Sequence, residues 1–498
     1  MAKVIGRSFG LGEEGAIPAV PQDTVDTHIF HPTPAPAPAA RNRGPMDALW
    51  GWITRRRREP GHGASPADLK RIRATLVECL SGSGGEVSAR RRVEWLASQY
   101  QSLNDEGRQD LLSLLATEFS PNEAVVNRAI RDYLDLKPGA DRRRAEQSLR
   151  VALASPRIKI LSHFNLLHDG VKFLVDLRAD VLRFRKALPE LDVLDEELYS
   201  LFTSWFDVGF LELRRISWNS PAALLEKLIR YEAVHEIRSW SDLRNRLDSD
   251  RRCYAFFHPR MPDEPLVFVQ VALVEDMASV VHDLLDETRP TSDPHDARAA
   301  IFYSISNTQV GLKGVSFGGF LIKRVVEHLC AELPKLKLFA TLSPVPEFRR
   351  WLDEQLKTTG SALFAAPERS RLREASGVDE PAEALKSLLA APEWPEHPKL
   401  RDALAPILTR LVAFYLAEAK ENGRPVDPVA RFHLGNGARL ERINWLADTS
   451  PRGLRQSAGV MVNYHYKLDE IESNHEAFAR HGKVPVGASV KRLLRAPE

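Results

Sequence analysis

Residues 300–319 read Ala-Ile-Phe-Tyr-Ser-Ile-Ser-Asn-Thr-Gln-Val-Gly-Leu-Lys-Gly-Val-Ser-Phe-Gly-Gly, and this stretch decides the fold of the region around it. Its first seven residues are apolar and aromatic enough to predict a buried strand. A glycine-rich loop follows, and the periodicity of residues 320–330 predicts a helix. A second strand over residues 336–342 and a Ser-Pro-Val-Pro turn at 343–346 complete a strand–loop–helix–strand unit.

The glycine-rich loop predicts a phosphate-binding site. Glycines at 311, 314, 318 and 319 allow a ligand to approach the backbone and leave amide groups free to donate. The helix that starts after the loop points its N-terminal amides at the same place, and Lys313 adds a positive charge. These features indicate a cradle for a phosphate or diphosphate. A plain turn between two elements remains an alternative, because glycine spacing alone is a weak signal.

The loop does not match the common nucleotide motifs, since both the P-loop pattern and the G-x-G-x-x-G order are absent. It does contain Gly314-Val-Ser-Phe-Gly318, which fits the G-x-S-x-G pattern of serine hydrolases with Ser316 as the nucleophile. In those enzymes the serine follows a strand directly, whereas here Asn307 to Val315 separate the strand from Ser316. A hydrolase or thioesterase that uses Ser316 is therefore the weaker alternative.

The remaining sequence divides into three parts. Residues 1–64, with a Pro/Ala-rich stretch and an Arg run, predict a disordered tail. Residues 65–202 show helical periodicity from the start signal Ser65-Pro66 onward, which predicts an all-α bundle for scaffolding or self-association. Strands and helices then alternate over residues 203–498, with a helical insertion near 355–430. The predicted fold class is multi-domain, an α-helical bundle followed by an α+β domain.

Composition excludes several classes of protein. The 69 Lys and Arg residues nearly balance the 67 Asp and Glu residues, which argues against a nucleic-acid binder. The three cysteines form no C-x-x-C pair, so we expect neither a disulfide scaffold nor a zinc module, and a cytoplasmic location. No apolar run approaches the roughly 18 residues that a membrane span needs. The histidine spacing contains no common metal motif, which predicts that no metal is bound.

Several separated stretches resemble one family. The order strand, Lys-Gly-Val-Ser-Phe-Gly, helix, strand is similar to the acyl-CoA site of GNAT-type acetyltransferases. Residues 302–315, 320–326 and 342–346, together with His433-Leu-Gly-Asn-Gly-Ala438 and Val462-Asn-Tyr-His-Tyr466, resemble malonyl-CoA decarboxylases more closely. The resemblance extends over residues 70–498 and leaves only the N-terminal tail unmatched.

The resemblance implies a fold, a site and a set of partners. It implies an N-terminal helical domain that forms a homo-oligomer, either a dimer or a tetramer, and a GNAT-like catalytic domain. It places the catalytic pair on Ser343 and His433 and gives Ser304 a supporting role. The malonyl-CoA-binding loop would comprise Lys313, Gly314, Val315, Ser316, Phe317, Gly318 and Gly319. Malonyl-CoA and acetyl-CoA would be the partners, and no cofactor is expected.

The chemistry of decarboxylation fits these residue types. Loss of CO2 from a malonyl thioester leaves an enolate, which needs donors at the thioester oxygen and an acid that protonates the carbanion. Ser343 would hold the malonyl carboxylate in line for cleavage, and His433 would supply the proton. A neutral pair suits this role better than a lysine, because strong pairing with the carboxylate would stabilise the ground state.

Other interpretations of these residues remain open. From local sequence alone, Ser343 before Pro344 is typical of a turn, and His433 before Asn436-Gly437 is typical of the last turn of a helix. A GNAT-type acyltransferase that passes an acyl group to an amine, and an acyl-CoA sensor without catalysis, fit the same loop. The products formed from malonyl-CoA distinguish these functions.

Overall fold

A computed structural model of the chain describes residues 61–81, 85–315 and 320–495. In the described part before residue 206 the backbone forms eight α-helices. They are α1 Pro66–Ser81, α2 Glu86–Ser102, α3 Asp105–Glu118, α4 Glu123–Leu134, α5 Ala140–Leu153, α6 Pro156–His163, α7 Gly170–Phe184 and α8 Asp192–Trp205. No strand longer than an isolated bridge occurs within these described residues.

The first helix begins where the sequence predicts. Ser65 Oγ accepts a hydrogen bond from the amide of Asp68 at 3.2 Å, and the Asp68 carboxylate accepts from the Ser65 amide at 3.1 Å. This reciprocal cap satisfies amides that have no partner inside the helix. His62 lies just before this helix, and its carbonyl accepts a hydrogen bond from the amide of Asn104 at 3.1 Å. The described chain therefore packs against the bundle already before the predicted boundary at residue 65. The rest of the predicted tail, residues 1–60, lies outside the described residues.

After residue 206 the chain forms both strands and helices. Its strands are β1 Glu212–Ile216, β2 Arg251–His258, β3 Met261–Val274, β4 Ala299–Asn307, β5 Leu338–Thr341, β6 Ser343–Pro344, β7 Lys420–Glu421, β8 Arg424–Pro425, β9 Arg439–Asn444 and β10 Met461–His465. Its helices are α9 Ala222–Tyr231, α10 Trp240–Arg246, α11 Val281–Leu285, α12 Phe320–Glu332, α13 Phe348–Thr358, α14 Ala366–Ser376, α15 Pro381–Ala390, α16 Pro398–Ala417, α17 Pro428–Gly435, α18 Pro451–Ser457, α19 Ile471–His481 and α20 Ala488–Leu494.

The architecture agrees with the predicted fold class. The strand, helix and strand predicted over residues 300–306, 320–330 and 336–342 are confirmed by β4, α12 and β5, and the predicted insertion contains α14, α15 and α16. The chain is therefore a helical region followed by a mixed α+β region. Whether the predicted divisions at residues 65 and 203 separate units that fold independently stays a prediction. No helix in the described ranges is long and apolar enough to span a membrane.

One large sheet organises the α+β region. Its strand order is β1-β2-β3-β4-β5-β10-β6, with β9 also paired to β10, and β4 with β5 is its parallel pair. Helix α12 packs on one face through Leu321 and Val325. Helices α9 and α10 pack on the other face through Leu225, Leu228 and Leu243. Both faces are thus covered, which explains why β2 and β4 are buried along their whole length.

The sheet opens between β4 and β5. The parallel register runs from Ala299↔Leu338 to Phe302↔Thr341 and ends there, because the chain after Thr341 pairs with β10 instead, with Ser343 opposite Val462. At the same point β4 carries a bulge: Gln270 pairs with Ser304 and the next residue of β3 pairs with Phe302. Bulges of this kind redirect side chains and often lie beside active sites. We call this opening between β4 and β5, next to Thr341 and Ser343, the wedge. The site described below lies in it.

Candidate active site

Ser343 and His433, 90 residues apart in the chain, meet at the wedge. Ser343 Oγ lies 3.1 Å from His433 Nε2, and both side chains are buried. Ser343 belongs to the short strand β6, and His433 belongs to the last turn of α17. Asp427 caps that helix, accepting a hydrogen bond from the amide of Ala430 at 2.8 Å. Together with Ser304, the two side chains line a small cavity of about 20 Å³.

A chain of hydrogen bonds fixes the orientation of this pair. The Tyr466 hydroxyl lies 2.8 Å from His433 Nδ1, and Ser343 Oγ donates to Thr341 Oγ1 at 2.8 Å. Thr341 Oγ1 also accepts from the amide of Tyr464 at 3.2 Å. Because the hydroxyl hydrogen of Ser343 is donated to Thr341, Ser343 Oγ is the acceptor in its hydrogen bond with the imidazole of His433. This network therefore assigns the imidazole hydrogen to Nε2 and makes Tyr466 the donor to Nδ1.

Burial sets the charge of the imidazole. His433 is enclosed by aromatic rings, with Tyr464 stacked on it at a centroid distance of 4.6 Å. Desolvation lowers the pKa of His433 to about 3. The same burial raises the pKa of Tyr466 well above its usual range. The site therefore holds a neutral imidazole and a neutral phenol at physiological pH.

The low pKa of His433 predicts how stability depends on pH. The unfolded chain binds a proton at an ordinary histidine pKa of 6.5, whereas the folded protein does so only near pH 3. The free energy of unfolding should therefore fall as the pH drops below 6.5. Between pH 7 and pH 5 we expect wild-type protein to lose about 2 kcal/mol more than His433→Asn, measured by urea unfolding. Equal losses in the two proteins would contradict a buried, neutral His433.

Ser304 faces the same cavity, but its hydroxyl is already engaged. It donates to the two carboxylate oxygens of Glu232 at 2.8 and 2.9 Å. Glu232 also accepts from the amides of Val234 and His235, at 2.8 and 3.0 Å, and from the side chain of Gln270 at 2.7 Å. This arrangement holds Ser304 and the wall of the cavity in place.

The predicted substrate loop is described only in part. The Lys313 side chain is exposed, Gly314 has a φ of +82°, which favours glycine, and the Val315 side chain is fully buried in the hydrophobic core. The Val315 side chain therefore belongs to the core, and its predicted contact with the substrate stays a prediction. Ser316, Phe317, Gly318 and Gly319 lie outside the described residues, so their predicted contacts and the hydrolase alternative built on Ser316 stay predictions.

Comparison with known proteins matches both regions of the chain. The family model of the malonyl-CoA decarboxylase C-terminal domain matches residues 209–498, and that of the N-terminal domain matches residues 119–206. The chain belongs to the malonyl-CoA decarboxylase family. The mitochondrial malonyl-CoA decarboxylase of Rattus norvegicus is 41% identical over 402 residues, which cover 78% of this chain and 82% of that protein. The corresponding protein of Anser anser anser is 40% identical over 407 residues, covering 78% and 80%.

Solved structures of family members have the same fold. The crystal structure of malonyl-CoA decarboxylase from Rhodopseudomonas palustris superposes with a TM-score of 0.78 at 43% sequence identity, covering 85% of this chain and 99% of that chain. The one from Agrobacterium vitis gives a TM-score of 0.77 at 43% identity, with 85% and 99% coverage. Family membership thus rests on both sequence and structure.

Sequence reasoning missed three residues that hold this candidate site together: Thr341, Tyr466 and Glu232. Tyr466 directly follows strand β10 and lies two residues after Tyr464. In an extended segment this spacing places both side chains on one face. That pattern was the available signal for Tyr466. Tyr464, whose ring stacks on His433, is fully buried. Glu232 gives no signal in the sequence, because the side chains that it binds, Gln270 and Ser304, lie on β3 and β4.

Tyr466 should contribute to activity through the imidazole. In Tyr466→Phe the imidazole loses its partner at Nδ1 and can adopt the other tautomer, so we expect kcat to fall about tenfold, the equivalent of one buried hydrogen bond. The matched control is Tyr464→Phe. The Tyr464 hydroxyl has no hydrogen-bond partner among the described residues, so its removal should leave kcat unchanged. Equal kcat values for the two variants would contradict the role given to Tyr466.

Proposed function

We propose that this protein decarboxylates malonyl-CoA to acetyl-CoA and CO2. The observation that carries the proposal is the buried contact between Ser343 and His433 at 3.1 Å, in a cavity at the opening of the sheet. Membership of the malonyl-CoA decarboxylase family supports the choice of substrate. The chemistry is a carboxy-lyase reaction on a thioester.

The reaction can be written with the groups present. The bond between C2 and the carboxylate carbon breaks, its electron pair enters the thioester as an enolate, and CO2 departs. The proton on His433 Nε2 then goes to C2 and gives acetyl-CoA. When the substrate binds, the Ser343 hydroxyl turns its hydrogen from Thr341 Oγ1 to the malonyl carboxylate. It holds that carboxylate so that the breaking bond lies perpendicular to the thioester plane and the developing charge delocalises.

The neutral state of the pair favours this chemistry. A cation beside the malonyl carboxylate would stabilise the charge that the reaction must disperse, and so would lower the energy of the ground state. His433, kept neutral by burial, does not do so. When the enolate forms, its negative charge favours proton transfer from Nε2, and the hydroxyl of Tyr466 stabilises the imidazolate that this transfer leaves. Nε2 then regains a proton from solvent water, which supplies the one proton that the reaction consumes.

We propose that catalysis needs no metal or redox cofactor. The electron pair released from the broken bond is accepted by the thioester carbonyl of the substrate itself, and no oxidation or reduction takes place. The test is to incubate purified full-length protein with carboxyl-labelled malonyl-CoA and a chelator, with no acyl acceptor. Label should leave as CO2. Label that stays in a CoA thioester, or appears as free malonate, would overturn the proposal and favour an acyltransferase or a thioesterase.

We further propose that the protein is a homo-oligomer, a dimer or tetramer, assembled through its helical region. Helices α4 and α5 pack on each other and each buries one residue, Ala129 and Ala145. The same hairpin leaves Ile130, Leu134 and Val151 exposed, an apolar surface that a second copy would cover. Sedimentation equilibrium measures this directly; a monomer at micromolar concentration would refute it.

The proposed location is the cytoplasm. The cysteines Cys79, Cys253 and Cys330 are all free thiols, as expected in a reducing compartment. The curated relatives are named as mitochondrial proteins, so fractionation of the source cells decides this point. Recovery of the protein in an organelle fraction would overturn the cytoplasmic assignment.

A further inference from the structure

Glu232 lies directly behind one wall of the cavity that Ser343 and His433 share. Its two carboxylate oxygens accept from the hydroxyl of Ser304, which lines that cavity, at 2.8 and 2.9 Å. Val234, two residues further along the chain, lines the cavity as well. Because the cavity holds only about 20 Å³, a group that enters it lies against Ser304 and is one hydrogen bond away from Glu232.

The contacts of Glu232 require a carboxylate rather than a carboxylic acid. Its oxygens accept from the backbone amides of Val234 and His235, and from the side-chain amide of Gln270 at 2.7 Å. The Gln270 side-chain oxygen accepts from the hydroxyl of Tyr303 at 2.9 Å, which leaves its NH2 group to face Glu232. These three amides can only donate toward Glu232, so a hydrogen on its carboxyl group would meet no acceptor among them. Glu232 therefore carries a negative charge.

The helix that precedes Glu232 does not explain this charge. Glu232 is the C-cap residue of α9, and the C-terminal end of a helix carries partial negative charge, which disfavours a carboxylate there. Two arginines donate to carbonyl oxygens just after Glu232. One of them, Arg246, pairs with Asp242 at 2.6 Å, and the other, Arg452, is exposed, so solvent screens its charge. The charge of Glu232 is thus left to act on the cavity in front of it.

The hydroxyl of Ser304 cannot bind a substrate carboxylate in this arrangement. Its hydrogen is donated to Glu232, so it presents oxygen lone pairs to the cavity. A carboxylate between Ser304 and Ser343 would gain a hydrogen bond from Ser343 but none from Ser304, and it would meet the negative charge of Glu232. An uncharged methyl group, or CO2, would not be repelled from the same place.

We infer that Glu232 is a specificity-determining residue, which makes the cavity favour an uncharged acyl end over a carboxylate. The inference rests on the proposed function, which places the malonyl carboxylate at Ser343. In the bound substrate the negative charge lies on that carboxylate, beside Ser304. When the bond to C2 breaks, the electron pair moves toward the thioester oxygen and the carboxylate carbon leaves as neutral CO2. Glu232 therefore opposes the bound substrate more than the enolate, and so raises both KM and kcat.

The test uses two unreactive CoA thioethers that differ only in a carboxylate. In S-(2-carboxyethyl)-CoA a methylene group replaces the thioester carbonyl of malonyl-CoA, so the compound cannot lose CO2, and S-ethyl-CoA is its uncharged counterpart. The wild-type protein should bind S-ethyl-CoA more tightly, as measured by calorimetry. In Glu232→Gln we expect the ratio of the two Kd values to shift about fivefold in favour of the charged compound, because a partly buried charge near the ligand is removed.

Steady-state kinetics with malonyl-CoA give a second readout. In Glu232→Gln we expect kcat and KM to fall together, so that kcat/KM does not fall. A residue that only held the cavity wall in place would lower kcat and leave KM unchanged or raised. The matched control is Glu264→Gln, which removes another partly buried carboxylate, one that pairs with Lys227 at 2.8 Å. It should leave the ratio of Kd values, kcat and KM unchanged.

The hydrogen bonds around Glu232 can accommodate glutamine. The side-chain oxygen of Glu232→Gln can keep the amides of Val234 and His235, and its NH2 group can donate to Gln270 once the Gln270 amide has flipped. Thermal unfolding of each variant checks this. A second variant, Glu232→Gln with Gln270→Glu, returns the charge to the same group of side chains, at the position opposite Ser304 in the strand register. Its ratio of Kd values should return toward that of the wild-type protein.

Three results would overturn the role of Glu232. The first is a ratio of Kd values within about twofold of wild type in folded Glu232→Gln, and the second is a shifted ratio that the double variant does not restore. The third, tighter binding of the charged compound by the wild-type protein, needs no variant. Neither thioether is turned over, so their Kd values test Glu232 even in a protein that releases no CO2. That last outcome would refute the proposed function alone.

Discussion

His433→Asn should turn over malonyl-CoA about 10²–10⁴-fold more slowly than the wild-type protein, the usual contribution of a general acid. Asparagine approximates the shape of the imidazole near Cβ and keeps a polar group in the cavity, but its amide N–H is a much weaker acid than the imidazole N–H and does not protonate the enolate. Because substrate binding depends mainly on the CoA portion, KM should change little. The expected loss is therefore in kcat, measured by steady-state kinetics on purified variants.

A second histidine gives the control for this result. His465 lies on β10, with its imidazole 3.8 Å from Glu441 rather than at Ser343. His465→Asn should retain wild-type kcat. If His433→Asn kept near-full turnover, the proton would have to come from another group, and the role assigned to His433 would be wrong.

Ser343→Ala should give a loss of similar size, about 10²–10⁴-fold in kcat. Without the hydroxyl, the malonyl carboxylate loses the group that aligns it for cleavage, and His433 Nε2 loses the oxygen that accepts its hydrogen. The effect is measured as release of carboxyl label under single-turnover conditions, so that slow product release does not mask it.

Ser304→Ala is the comparison for Ser343. Both serines line the same cavity, but the Ser304 hydroxyl is held by Glu232, so its loss should reduce kcat by no more than about tenfold, as expected for one supporting hydrogen bond. Equal losses in the two serine variants would mean that the cavity wall, and not the Ser343 hydroxyl, is what catalysis requires.

Local sequence patterns predicted the elements better than the chemistry. A capping signal located the start of α1, and an apolar run located β4, because the caps of helices and the burial of strands are set by neighbouring residues. The same logic described His433 correctly as a residue of the last helical turn. At that position the helix dipole alone would raise the pKa of His433 and favour the protonated imidazole. Burial outweighs that effect and lowers the pKa of His433 instead.

The contacts that make the site depend on long-range folding. His433 meets Tyr466 across 33 residues, Ser304 meets Glu232 across 72, and Ser343 meets His433 across 90. No periodicity or spacing records such pairs, because they arise where separate elements pack together. The pair of Ser343 with His433 was therefore predicted by family resemblance, and the residues that orient the pair became visible only in the folded chain.

The central claim is that an enolate forms at the Ser343–His433 pair and is protonated there. The direct measurement is the mass of the products that the wild-type protein forms from malonyl-CoA in D2O, with no acceptor present. The account predicts CO2 and acetyl-CoA carrying a single deuterium at C2, and almost no product from His433→Asn. Free malonate and CoA, or a malonyl group left intact on CoA, would contradict it.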